Sequence, residues 1–286
     1  MTKVPTFEIA VSSEGIGAWS DFRLPFEPRG EARRFRDDLR AALRGLPRRP
    51  ALHVEYVSED ASPCDVENVT LYNVGAAAFA GLGTTSIVVE RTLVPCQTSP
   101  SGARRPHFVR YRMLDDPIAW RSWRPRQKLA AWRDAPVAGP MTAYSVWAGL
   151  KDGRAELVRA WDMQAPLGVV VHVDAAVRGT LMSSVKAILD GVVAAAHVHD
   201  GTEVDEVSRR LGTKVSADAA RHRSWLLDTR DAALGPRRLI HLRADGVQWN
   251  PADDRLVAIT VARHPRTCGG SISAEIHEVV PIASPR

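Results

Sequence analysis

Residues 51–57 read Ala51-Leu52-His53-Val54-Glu55-Tyr56-Val57, an alternation with Leu52, Val54 and Tyr56 on one side. A period of two places successive side chains on opposite faces of a strand, so this run predicts a strand with one buried face. Upstream, Gly30 to Leu46 (GEARRFRDDLRAALRGL) sets Phe35, Leu39, Ala42 and Leu43 at helical spacing. Arg33, Arg34, Arg36 and Arg40 take the other faces of that helix, and Gly45 and Pro47 close it. Thr6 to Val11 alternates as a first strand. Downstream, the apolar content of Val69–Ala80 suggests a helix ending near Gly81 or Gly83. Ser86–Val94 and Phe108–Met113 read as a long hairpin, and Asp116–Arg133 as a helix interrupted at Pro125.

The second half repeats the alternation of strands and helices. Ala143–Leu150 and Glu156–Trp161 flank Lys151-Asp152-Gly153, a hairpin turn signal, and Val169–Val173 is a short buried strand. Leu181–Ala196 carries the clearest helical face in the chain: Leu181, Val185, Ile188, Leu189, Val192, Val193 and Ala196. Thr180 or Ser183 is placed to cap it. Helices over Val204–Leu211 and Ala217–Leu227 follow, then strands over Arg238–Arg243, Leu256–Arg263 and Ser271–Val280. This order predicts an α+β fold with largely antiparallel or mixed sheets. Ala135–Pro140 is the linker candidate, giving an N-terminal lobe over 1–134 and a C-terminal lobe over 141–286. In both halves a strand leads through a polar loop into a helix, ALHVEYV…CDVENVTLYN and GVVVHVD…GTLMSSVKAIL, as a diverged duplication would leave it.

Composition narrows the class without naming a function. The 286 residues are 45% apolar and 25% charged, enough to bury a core without disulfide or zinc staples. Cys64, Cys96 and Cys268 form no Cys-x-x-Cys pair, which favours a reducing compartment. No apolar run near the start is long enough for a signal peptide, and none elsewhere for a membrane span, so a cytoplasmic protein is expected. The bias toward Arg, Ala and Val points to a GC-rich bacterial genome. A net charge of +5 leans weakly toward an anionic partner. The phosphate-loop, dinucleotide-binding, serine-hydrolase and His-Glu-x-x-His signatures are all absent.

Five constellations bear chemistry. Asp65-Val66-Glu67-Asn68 can aim two carboxylates at one cavity, where oxygen ligands suit Mg²⁺; Asp65 is equally an N-cap and Glu67 a first-turn complement to a helix dipole. Lys186 and Asp190 stand four apart on one helical face, able to hold a phosphate or to pair with each other. Asp253 and Asp254 precede a strand, as cation ligands or as turn residues after Asn250-Pro251. Arg121, Trp123, Arg124, Arg126 and Lys128 interleave charge with indole, fitting phosphates and unpaired bases; core packing of the indole is the alternative. His197-Val198-His199-Asp200 spells part of a zinc motif, but Gly201-Thr202 stands where the next Asp-His would be.

The first three together resemble the RusA-like Holliday-junction resolvases. That family carries an Asp-x-Asp-Asn run, a helix with Lys and then Asp, and an Asp-Asp opening a strand that ends in a basic residue. Asp65-Val66-Glu67-Asn68 looks like the first, Lys186-Ala187-Ile188-Leu189-Asp190 like the second, and Asp253-Asp254-Arg255…Arg263 like the third. Here the pieces are spread over both halves, Glu replaces the second Asp, and Leu71-Tyr72-Asn73 stands where a Lys would follow. The resemblance implies Mg²⁺-dependent cleavage of branched DNA by an oligomer, with Asp65, Glu67, Asp253 and Asp254 as metal ligands and Lys186 and Asp190 beside them. The competing expectation is a non-catalytic assembly subunit of a bacterial multiprotein complex.

Overall fold

The computed structural model describes residues 5–95, 97–153, 155–158, 161–175, 180–215, 218–244, 246–264 and 270–282; Cys96 and Cys268 lie outside them. Its centre is a ten-stranded mixed sheet. In chain order the strands are β1 (Phe7–Ser12), β2 (Gly15–Ser20), β3 (Ala51–Ser58), β4 (Ser86–Leu93), β5 (His107–Leu114), β6 (Trp123–Pro136), β7 (Glu156–Leu157), β8 (Leu167–Ala175), β9 (Leu256–His264) and β10 (Gly270–Pro281). In space they run β1-β2-β5-β3-β4-β9-β8-β10-β6-β7. The pairs β3/β4 and β8/β9 are parallel; the other neighbours are antiparallel. Helices α1 (Gly30–Arg44), α2 (Ala143–Gly153), α3 (Val185–Ala195), α4 (Val204–Val215) and α5 (Ala219–Leu226) complete an α+β fold.

Alternation in the strands decides which face is covered. Leu52, Val54 and Tyr56 of β3, Ile87 and Val89 of β4, and Val169, Val171 and Val173 of β8 join Phe35, Leu39 and Leu43 of α1 and Val146, Trp147 and Leu150 of α2 in one apolar cluster. α3 adds Val185, Ile188, Leu189, Val192 and Val193 to the same cluster. The opposite face is polar at alternate positions. There the buried His53 Nε2 lies 3.1 Å from Glu90 Oε2, and Glu90 Oε1 accepts from the backbone N–H groups of Arg121 and Ser122.

The two halves meet at the antiparallel pair β4/β9, centred on Val88 and Thr260. Outward from that joint the neighbours are β3, β5, β2 and β1 on one side and β8, β10, β6 and β7 on the other, with matching parallel and antiparallel relations. Strands from before and after residues 135–140 thus belong to one continuous sheet, and β6 runs into that stretch.

Four local readings need correction. β4 and β5 are not a hairpin: β3 lies between them, parallel to one and antiparallel to the other. Residues 123–136 are a strand, not a helix; three register irregularities against β10, one of them at Pro125, break the alternation that would have revealed it. Residues 143–153 are helical, with Val146, Trp147 and Leu150 buried, so the expected turn at Lys151 is the last turn of α2. The expected helix over 69–80 divides into a π-helical turn at Asn68–Tyr72 and a short 3-10 turn at Ala76–Ala78. Gly75 between them has φ +100°, a left-handed value that ends helical geometry.

Candidate carboxylate site

Three segments far apart in the chain converge on the ammonium of Lys186. The first is the turn after β3. Asp65 Oδ1 accepts from the Asn68 N–H at 3.0 Å and so caps the turn, while Oδ2 accepts from Lys186 Nζ at 2.9 Å. Capping and charge pairing are shared between the two oxygens of one carboxylate. The turn itself is wide, closed by the Asn73 N–H on the Asn68 carbonyl at 2.8 Å; π-helical turns of this kind gather at functional sites. It buries Val66, Val69 and Leu71 and carries Glu67 inward, 3% exposed, with Oε2 3.8 Å from Lys186 Nζ.

The second segment is the start of α3. Lys186 and Asp190 are one turn apart, and Nζ lies 3.0 Å from Asp190 Oδ1. The third is the 3-10 turn Asp253–Arg255 that leads into β9, where Asp253 Oδ2 accepts from Nζ at 2.9 Å. The sheet order explains the meeting. β3, β4 and β9 are adjacent, and the end of β3 and the start of β9 lie at the same end of the sheet.

Four carboxylates therefore surround one ammonium, a surplus of three negative charges at full ionisation. Burial raises the proton affinity of Asp65 to a pKa of about 7; Lys186 opposes that shift and Asp253 adds to it. Glu67 is held well above the ordinary carboxylate range by burial and then by Asp65. Asp190 is raised by burial against the pull of Lys186. Burial works against the charge of Lys186, but Asp65, Asp190, Asp253 and Glu67 outweigh it and keep the ammonium protonated. Glu67 Oε2 is buried with no hydrogen-bond partner among the described residues.

Asp65, Glu67, Lys186, Asp190 and Asp253 are thus brought together; Asp254 is not. Among the described ion pairs it has none with Lys186, and the residue borders a cavity together with Arg91, Trp123 and Arg255. The basic and aromatic strip is spread along the start of β6. Trp123 is buried, its indole N–H donating to the Arg91 carbonyl at 2.7 Å. Arg126 pairs with Glu278 at 2.8 Å and Lys128 with Glu275 at 2.5 Å, while Arg121 and Arg124 are exposed. His197 and His199 are both buried and meet the backbone carbonyls of Gly235 and Ile240.

Compared with models of known protein families, with curated proteins and with solved structures, the chain matches none.

The donor set suits a hard divalent cation: all ligating atoms would be carboxylate oxygens, charge is in surplus, and one buried oxygen has no hydrogen bond among the described residues. Among the described residues, however, no three acidic or imidazole groups stand at metal-ligand spacing. The ammonium of Lys186 holds the centre, so an incoming cation would have to displace it. Sequence reasoning missed the buried Glu90–His53 pair and the cavity beside Asp254. The signal for the pair was present, since His53 stands between Leu52 and Val54 and Glu90 follows the apolar run Ile87-Val88-Val89.

Proposed function

We propose that this chain acts on nucleic acid as a divalent-metal-dependent nuclease or nuclease-like binder, with Asp65, Glu67 and Asp253 as the cation's ligands. The supporting observation is the convergence of four carboxylates from three distant segments on one ammonium, where their side chains keep between 3% and 21% of their exposure. Each ionised carboxylate removed from water opposes folding by several kcal/mol, so gathering them is a stability cost that functional sites characteristically carry. A bound Mg²⁺ would neutralise charge on a phosphodiester and favour ionisation of a water. On this reading Lys186 leaves the centre for a phosphate oxygen, and Asp190, one turn along the helix, keeps its ammonium within reach. Arg121, Arg124 and Arg126, with Lys128, would hold the nucleic-acid backbone; Trp123 sits behind them as packing.

The decisive substitution is Asp65→Asn. An amide oxygen can still cap the Asn68 N–H, so the melting temperature stays within a few degrees while Mg²⁺-dependent cleavage is lost. If the unmodified protein cuts neither branched, single-stranded nor duplex substrates with Mg²⁺ or Mn²⁺, the nuclease reading fails. A second reading, a non-catalytic assembly subunit, is favoured by one observation: Lys186 already makes three contacts of 2.9–3.0 Å and can serve as a permanent internal cation. It predicts a stable oligomer or a required partner in light scattering, and no response to divalent ions.

A further inference from the structure

The two halves of the sheet are not connected alike. Residues 59–85 lead from β3 to β4, whereas the matching link from β8 to β9 runs over residues 176–255. The longer link holds α3, α4 and α5. It leaves the carboxylate cluster at Lys186 and Asp190 and returns to it at Asp253. The stretch after α3 is therefore an addition to one half alone.

Its order is the short strand Val198–His199, then α4, α5, the short strand Pro236–Arg237 and the antiparallel hairpin Ile240–Arg243 with Gly246–Trp249. Only residues 216–218 separate α4 from α5, and the two helices pack on each other. Two packed helices joined by a turn of three or four residues are the helix-turn-helix arrangement. Here each helix has one apolar face: Val204, Val207 and Leu211 of α4 and Leu226 of α5 are buried. His222, wholly buried, shares a 2.6 Å hydrogen bond with the Tyr144 hydroxyl and so fixes α5 to α2. Asp218 Oδ1 accepts from the Ala220 N–H at 2.8 Å and caps α5. Arg210 fastens the hairpin to α4 by donating to the carbonyls of Ala244 and Gly246. The unit is thus anchored on several sides, as recognition by a preorganised surface requires.

The outward side of α5 presents Ala220, Arg221, Arg223 and Ser224, all exposed and none acidic. Arg221 lies 4.5 Å over the Trp225 ring and pairs with Asp152; Arg223 pairs with Asp205. Both pairs are exposed on each side, so they hold the guanidinium groups loosely and yield them to phosphates. Arg243 of the hairpin is exposed as well. A helix fits the major groove of B-form DNA, where guanidinium groups meet guanine edges, hydroxyls meet any base and small apolar groups meet the thymine methyl. The major groove of duplex RNA is too deep and narrow for such side chains, and a single strand has no groove.

We infer that α4 and α5 form a second nucleic-acid surface, with α5 seated in the major groove of duplex DNA and Arg243 on the flanking backbone. The inference goes beyond the carboxylate cluster and needs no metal. Because the chain enters this unit from Asp190 and leaves it toward Asp253, a duplex held here is tethered to the acidic site at both ends of the insertion.

The test is fluorescence anisotropy of the full chain with labelled duplexes of about 20 base pairs in EDTA, so that binding is read without cleavage. Duplex DNA binds at least about tenfold tighter than duplex RNA or a single strand of the same sequence. Arg221→Ala with Arg223→Ala weakens duplex DNA by about tenfold or more and flattens the dependence on salt, with the melting temperature unchanged to a few degrees because both ion pairs are exposed. Ser224→Glu sets a carboxylate on the same exposed face without removing an ion pair, and weakens binding to a similar degree. Duplex DNA bound no tighter than duplex RNA, or an affinity unchanged in either variant, overturns the assignment and leaves the metal-dependent cleavage test untouched. Duplex binding through α5 in a protein that cleaves nothing would retire the nuclease reading alone.

Discussion

Replacing Lys186 by methionine keeps most of the side-chain stem and removes the charge that four carboxylates share. Deleting one partner of a buried ion pair costs about 3–5 kcal/mol, because the remaining charge is left uncompensated. Here the lysine side chain is 26% exposed, and Asp65, with a pKa raised to about 7, can take up a proton in the ammonium's place. Both facts place the loss at the lower end, about 3 kcal/mol. At about 2–4 °C per kcal/mol for a chain of this size, Lys186→Met should melt roughly 6–12 °C below the parent in EDTA. A divalent cation at about 100 times its Kd returns about 2.7 kcal/mol, so excess Mn²⁺ should bring the variant back to within a few degrees of the parent. The assay is a thermal melt of both proteins with EDTA and with Mn²⁺. An unchanged melting temperature in EDTA refutes the electrostatic account of the cluster. A variant that gains no more from Mn²⁺ than the parent refutes its capacity to hold a cation, and favours lysine as a permanent structural occupant.

Other outcomes follow from the same geometry. Burial lowers the His197 pKa to about 4, so between pH ~6.5 and ~4 the unfolded chain binds the extra proton. The contribution of His197 to stability should then fall with declining pH by up to about 3 kcal/mol over that window and stay level above pH 7; a difference in urea midpoint between the parent and His197→Asn that does not change with pH would contradict this. Gly168→Ala places a Cβ 2.6 Å from Trp120 and 2.7 Å from Val279, and overpacking of this kind should cost about 1–3 kcal/mol in a denaturant titration. Arg124→Glu with Arg126→Glu should weaken oligonucleotide binding across all sequences and flatten its dependence on salt; an unchanged salt slope would remove β6 from the interface.

How much the sequence disclosed depended on the kind of signal. Helical spacing in residues 30–44 was legible because one face is buried and the other is not, whereas residues 51–58 are buried on both faces and were legible because His53 and Glu55 alternate with Leu52, Val54 and Tyr56. β6 was illegible because its bulges disturb the period of two, and α2 because a turn signal at Lys151-Asp152-Gly153 competed with the spacing of Val146, Trp147 and Leu150. The pairing of β3 with both β4 and β5 is a long-range choice that no local pattern encodes. In the site, Asp65, Glu67, Lys186, Asp190 and Asp253 were legible as charged residues in suspicious places. Their meeting depends on β4 and β9 being neighbours, which is a property of the sheet and not of any one segment. The separation of Asp253 from Asp254 turns on a short 3-10 turn that two consecutive aspartates cannot advertise.

The antiparallel seam at Val88 and Thr260 has one more consequence. A protein built from two identical copies would present the same residues at both ends of the seam and come apart on dilution. Here the seam is internal to a single polypeptide, so its integrity does not depend on concentration. A residue at one end of the seam can also change without the same change appearing at the other. Where Asp253 and Asp254 lead into β9, Thr84 and Thr85 lead into β4. Tethering lets the approaches to that central pair of strands differ, with aspartates before one strand and threonines before the other.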